Sequence, residues 1–254
     1  MDNWFTTERI DADTFAISEY KHWEEPHSYL LIGSKQTLLI DTGLGISNIK
    51  NVVRKLTSLP IFVVISHAHW DHIGGIGLFN RFGIHKHVVQ WLSDKFPLSL
   101  KAVKDILLSK PCNLPKTFDI DNYKIFQGSP TSILFDGQTF DLGNRTINVI
   151  HTPGHSPGHC CFYESKRGYL FSGDLIYKGC LDAFYPSTDP IAFMQSIKKV
   201  KRLNIKKILP AHHQLNIPVD LIDEIDNAFK SLYSQNKLAH GSGIFDFGNF
   251  HIHI

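Results

Sequence analysis

Between residues 67 and 72 the chain carries His67, His69, Asp71 and His72. Imidazole nitrogen and carboxylate oxygen are the donor types that hold zinc, iron or manganese. On extended backbone His67 and His69 point to the same side, so both can reach one ion. A turn after His69 would aim Asp71 and His72 at a second position. Three further segments each place a donor just beyond an apolar β-type run: His155 in TPGHSPGH, Asp174 in FSGD and His212 in LPAHH. The chemistry these residues point to is activation of water and polarisation of a carbonyl or phosphoryl group by bound cations, with no serine or cysteine nucleophile.

The elements that must position these donors can be read from hydrophobic pattern. Residues 28–33 and 37–41 are short apolar runs around Ser34-Lys35-Gln36, a hairpin candidate. Residues 46–57 space Ile46, Ile49, Val52, Val53 and Leu56 at helical intervals. Pro60 opens 61–65, a β-branched run suited to a strand buried on both faces. The spacing predicts a helix over 99–109, then strands over 131–136, 138–142, 145–151, 158–163 and 168–172. A helix follows at 189–203, a strand at 206–209 and a last helix at about 218–235. Strands then helices, twice over, imply an α+β fold of two packed sheets with helices outside. No stretch reads as an interdomain linker, so one domain over residues 1–254 is expected. An irregular, partly helical insert at 85–130 should lie near the site.

Composition narrows the function classes. The chain has 254 residues, 43% of them hydrophobic and 20% charged, enough for a sizeable core. Its net charge of +2 is too balanced for a protein devoted to phosphate backbones, so no nucleic-acid partner is expected. No apolar run reaches the roughly 18 residues that a membrane-spanning helix needs. The start, MDNWFTTERIDAD, carries acids where a secretory leader needs basic and apolar residues, and a cytoplasmic location is expected. The four cysteines include adjacent Cys160 and Cys161 and no CxxC, which argues against a disulfide framework. The 15 histidines are the unusual count. Of those outside the donor motifs, His159 is expected to be structural, and His213 to touch substrate or solvent. His85, His87, His251 and His253 alternate as if on strands and are expected to face solvent.

HAHWDH, TPGHSPGH, SGD and LPAHH, in this order, resemble the ligand motifs of the metallo-β-lactamase superfamily over about residues 28–213. The resemblance implies a four-layer αβ/βα sandwich, two mixed sheets with helices on the outer faces. It implies a dinuclear centre holding two divalent metal ions, expected to be zinc, with iron or manganese also compatible. His67, His69 and His155 match the ligands of the first ion; Asp71, His72 and His212 match those of the second, and Asp174 matches the bridge. Asp41, in IDTG, matches an acidic residue that steadies a ligand histidine. Asp71 is a candidate proton relay, and Tyr177 a candidate donor to the substrate carbonyl or, alternatively, a packing residue.

Within that superfamily the residues favour hydrolysis of a lactone, ester or acyl-thioester. Asp174 and Tyr177 with DAFYP at 182–186 resemble the lactonase and acyl-thioesterase branch. The alternatives are a phosphodiesterase or nuclease, a mononuclear-iron sulfur dioxygenase, and a catalytically weak regulatory relative. The expected partner is therefore a small-molecule ester, lactone or thioester. In the insert, Trp91, Phe96, Leu98 and Leu100, with Phe184 and Tyr185 beyond it, are candidates for an apolar lip.

Overall fold

Fifteen strands and five α-helices make up the computed structural model, which describes residues 3–254. The first two residues of the N-terminal stretch read for a leader lie outside the described residues. The chain divides into two compact units, residues 1–134 with 141–145 and residues 135–140 with 146–254.

The first unit is built on a seven-stranded sheet in which spatial order follows chain order. Strands β1 (Thr6–Asp11), β2 (Thr14–Ser18), β3 (His27–Ile32) and β4 (Thr37–Ile40) are antiparallel neighbours. Helix α1 (Ile49–Leu56) then crosses over to β5 (Ile61–Val64), which runs parallel to β4. Asn48 starts α1, its side chain accepting from the Asn51 N–H at 3.2 Å; Ile49 and Val53 are buried. The helix thus begins three residues later than the apolar spacing alone implies, because Asn48 supplies the cap. After β5 comes α2 (Trp70–Ile73), a single turn carrying Asp71 and His72. Parallel strands β6 (Phe82–His85) and β7 (Ser132–Leu134) complete the sheet. Between them the insert holds 3-10 turns and helix α3 (Leu100–Leu107), capped by Ser99. Leu30, Leu39, Val63 and Ile84, from four adjacent strands, pack with Ile49 and Val53 of α1 in one buried cluster.

The second unit contains β8 (Thr139–Asp141, whose last residue falls in the first unit), β9 (Thr146–His151), β10 (Cys160–Glu164) and β11 (Tyr169–Gly173). Short strand β12 (Cys180–Asp182) precedes α4 (Pro190–Val200), β13 (Lys207–Pro210) and α5 (Leu221–Ser234). Strands β14 (Ile244–Asp246) and β15 (His251–His253) end the chain. The main sheet runs β13-β11-β10-β9-β8 and is mixed, since β11 and β13 are parallel while the other pairs described are antiparallel. Phe193, Ile197 and Val200 of α4 and Leu221, Ile225 and Phe229 of α5 share one core with Leu170 and Ile208 of the sheet.

The α+β class agrees with the sequence pattern. A third sheet, β12-β15-β14, is an addition to the two expected. It forms because Leu181 and Ile252 enter the core while their polar neighbours stay on the opposite face. The solvent-facing expectation holds for His87 and needs correction for three other histidines. His85 closes a buried strand and is itself buried, whereas His251 and His253 are half-buried by strand pairing.

Candidate metal centre

In the first unit, the loop after β4 and the segment after β5 are tied together backbone to backbone. The Asp41 N–H donates to the Val64 carbonyl at 2.9 Å, and the Thr42 N–H to the His72 carbonyl at 2.8 Å. Asp41 sits at φ 59°, a left-handed conformation that aspartate tolerates better than most residues. Gly43 follows at φ 70°, where a Cβ would lie 1.8 Å from a Glu19 carboxylate oxygen. This strained turn delivers the Asp41 carboxylate beneath the histidines. One oxygen accepts from the Ser66 N–H at 2.7 Å; the other accepts from the Ser66 hydroxyl at 2.7 Å and from His72 Nδ1 at 3.1 Å.

Those bonds fix the imidazole tautomers. The Ser66 hydroxyl donates to Asp41, so its oxygen accepts from His67 Nδ1, 3.0 Å away. His67 and His72 therefore both carry hydrogen on Nδ1 and a lone pair on Nε2. Their rings lie 4.1 Å apart, and His67 and His69 lie 4.4 Å apart. His72 Nε2 faces an Asp71 oxygen at 3.3 Å. Two electron-pair donors held this close repel one another unless a cation or proton stands between them. Trp91 of the insert stacks on His69, ring centres 6.0 Å apart and 6° from parallel.

The second unit builds a matching group at the ends of β9, β11 and β13. Gly154, at φ 142°, lets the loop after β9 lie on α4; a Cβ there would meet the Phe193 Cα at 2.3 Å. The Asp189 N–H donates to the Gly154 carbonyl at 2.8 Å and the Ser196 hydroxyl to the Pro153 carbonyl at 2.6 Å. The next residue, His155, donates from Nδ1 to the Asp182 carbonyl at 2.9 Å, which leaves its lone pair on Nε2. His155 Nε2 and His212 Nε2 both lie 3.3 Å from the same Asp174 oxygen. Parallel pairing of β11 with β13 brings Asp174 and His212 out at neighbouring strand ends.

His159 is fully buried and holds Asp174 from behind. Its Nε2 accepts from the Asp174 N–H at 3.1 Å, and Nδ1 donates to Thr152 Oγ1 at 2.8 Å. Tyr177 is buried, its hydroxyl donating to the Cys180 carbonyl and its ring centre 5.5 Å from that of His212. His213 is half-buried at φ 62° beside Tyr177. Cys160 and Cys161 are fully buried, and burial pushes the Cys161 thiol up to about 12.

Each unit thus brings its own expected donors together: His67, His69, Asp71 and His72 over Asp41 in one, His155, Asp174 and His212 over His159 in the other. The donor sets fit divalent cations, because oriented imidazole lone pairs converge on carboxylate oxygens. Sequence reading missed Ser66, whose hydroxyl links Asp41 to His67. It also missed Glu19, a buried carboxyl that accepts from the Trp4 indole and, at 2.8 Å, from the Leu44 N–H. Burial raises its pKa to about 7. Neither carries a motif, and Glu19 follows β2 with nothing in the sequence to mark its burial.

A family model described as Metallo-beta-lactamase superfamily matches residues 23–212. The acyl-coenzyme A thioesterase MBLAC2 of Homo sapiens is 29% identical over 230 residues, covering 82% of this chain and 81% of the relative. Its counterpart in Gallus gallus is 26% identical, covering 84% and 82%. Among solved structures, a metallo-beta-lactamase from Pontibacter korlensis superposes with a TM-score of 0.64 at 17% identity, covering 89% of this chain and 99% of that one.

Proposed function

The chain belongs to the metallo-beta-lactamase superfamily, and from that premise we propose that it is a metal-dependent hydrolase of acyl-thioesters. In this reading the seven expected donors serve a dinuclear centre. His67, His69 and His155 would hold one ion and Asp71, His72 and His212 the other, and Asp174 would serve both. The observation that carries the reading is the shared orientation of the donors. His67, His72 and His155 each present Nε2 because Nδ1 is committed elsewhere, and carboxylate oxygens lie 3.3 Å from His72, His155 and His212.

Two bound divalent ions would lower the pKa of water toward neutrality and polarise the substrate carbonyl. The chain's own residues supply the rest. Asp41 keeps His67 and His72 in the tautomer that binds, directly and through Ser66. His159 fixes the Asp174 backbone, and the Asp182 carbonyl fixes His155. Asp71 is given the role of carrying a proton toward the leaving atom. A thiol leaving group, with a pKa near 8.5, departs without full protonation, so a thioester asks less of Asp71 than a lactone does. Trp91 stacked on His69, with Phe96 and Leu98 in the same insert, offers an apolar flank for an acyl chain. Tyr177 is assigned a positioning role against His212, since its hydroxyl is bound to the Cys180 carbonyl.

The thioesterase name of the human relative favours acyl-coenzyme A over other esters. Lactone hydrolysis is the second reading, favoured by the Asp174–Tyr177 spacing. A panel of acyl-coenzyme A, acyl-homoserine lactone and a bis-aryl phosphodiester on one preparation decides between them. Chelator-sensitive release of free thiol is expected; phosphodiester cleavage without carbonyl cleavage would overturn the proposal.

A further inference from the structure

Beyond the donors assigned above, the second unit holds another group of ligand-type side chains, on the face of its small sheet opposite Leu181 and Ile252. Strands β12 and β15 are parallel, with Cys180 opposite His251 and Asp182 opposite His253. Alternation sends Leu181 and Ile252 into the core, both fully buried, and leaves Cys180, Asp182, His251 and His253 together on the other face. The donor atoms of Cys180, Asp182 and His253 lie within 4.8 Å of one another, and all three residues are half-buried. His253 Nδ1 is 3.5 Å from Asp182 Oδ1. Phe184 stacks on the His253 ring, centres 3.8 Å apart and 16° from parallel, which limits the orientations that ring can take.

We propose that Cys180, Asp182 and His253 form a second kind of metal site, for a thiophilic divalent ion of the zinc type, that clamps the C-terminal strand β15 onto β12. The donor chemistry selects the ion. One thiolate, one carboxylate and one imidazole, with water as fourth ligand, is a mixed soft and hard set that zinc accepts in tetrahedral geometry. Bond lengths of that geometry put sulfur and nitrogen about 3.5 Å apart, a separation that falls within the 4.8 Å spread of the three donor atoms. Without a cation the arrangement is unfavourable for anions: burial and the neighbouring Asp182 push the Cys180 thiol up to about 12. On binding, the S–H bond breaks, the sulfur pair goes to the ion and the proton goes to solvent. The site also bears on the candidate centre, because the Asp182 carbonyl is the acceptor that orients His155.

Cobalt(II) added to the full-length, metal-depleted protein tests this directly. The seven donors of the candidate dinuclear centre are all nitrogen and oxygen, so a near-ultraviolet thiolate-to-cobalt charge-transfer band reports on a cysteine site alone. The band is expected in the native sequence and in Cys112→Ser, lost in Cys180→Ser and weakened in His253→Ala. Absence of the band at saturating cobalt, or its survival in Cys180→Ser, overturns the proposal. Should Cys180→Ser fail to fold, alkylation of the native chain by iodoacetamide, followed at Cys180 by mass spectrometry, tests the same site. Zinc is expected to slow it about tenfold or more, and an unchanged rate contradicts the site. Failure of the dinuclear reading would show instead as missing thioester hydrolysis with the thiolate band intact.

Discussion

Single side chains here act mostly by fixing hydrogens on others. Asp41 receives three donors, two of them leading to the proposed ligand imidazoles, so Asp41→Ala should lower metal affinity by about 10–100-fold with the fold retained. Metal-buffered titration checks this. Tyr177→Phe keeps the ring against His212 and removes the bond to the Cys180 carbonyl. As a positioning residue it should change thioester kcat/KM by less than about tenfold with metal content unaltered; a larger loss confined to kcat would give its hydroxyl to the substrate. Glu19 makes a pH prediction. Burial raises its pKa from 4.5 to about 7, so the fold favours the neutral acid. That stabilisation is complete below pH 4.5 and is lost as pH rises through about 7, a change on the order of 3 kcal/mol. Thermal unfolding of Glu19→Gln should therefore improve relative to the native protein as pH goes from 5.5 to 8.5. A difference in melting temperature that stays flat with pH would contradict the assignment.

At the scale of elements, turns decide where the donors sit. Gly154→Ala would force a strained φ and drive a methyl into the backbone of α4, displacing the loop that carries His155. Reduced metal content with near-native circular dichroism is the expected result. Most elements that flank the donors were legible: β9, β10, β11, β13, α4 and α5 carry long or continuous apolar patterns and match their expected positions within three residues. The N-terminal hairpin β1–β2 and strands β6 and β12 were not. TTERID is largely exposed, so it shows no hydrophobic alternation. FGIH is only four residues, and Cys180-Leu181-Asp182 offers one apolar side chain, its pairing with β15 set by tertiary contact. The same holds for the site: the donors stood out by type and spacing, whereas Ser66 became visible only through its bonds.

For the whole molecule, fold and chemistry were legible to different depths. The superfamily follows from four short motifs, but no motif encodes the substrate. Among the described residues no helix is long and apolar enough to cross a membrane. On the proposed metal-bound reading, chelation should lower the melting temperature, since an ion that binds only the folded chain stabilises it by about 2.7 kcal/mol at about 100 times its dissociation constant. The central proposal is that seven side chains hold a pair of ions, with Asp174 serving both. Elemental analysis of the native chain and of Asp174→Asn, purified side by side, tests it most directly. The account predicts that the variant loses about two ions per chain; an unchanged metal count would contradict it.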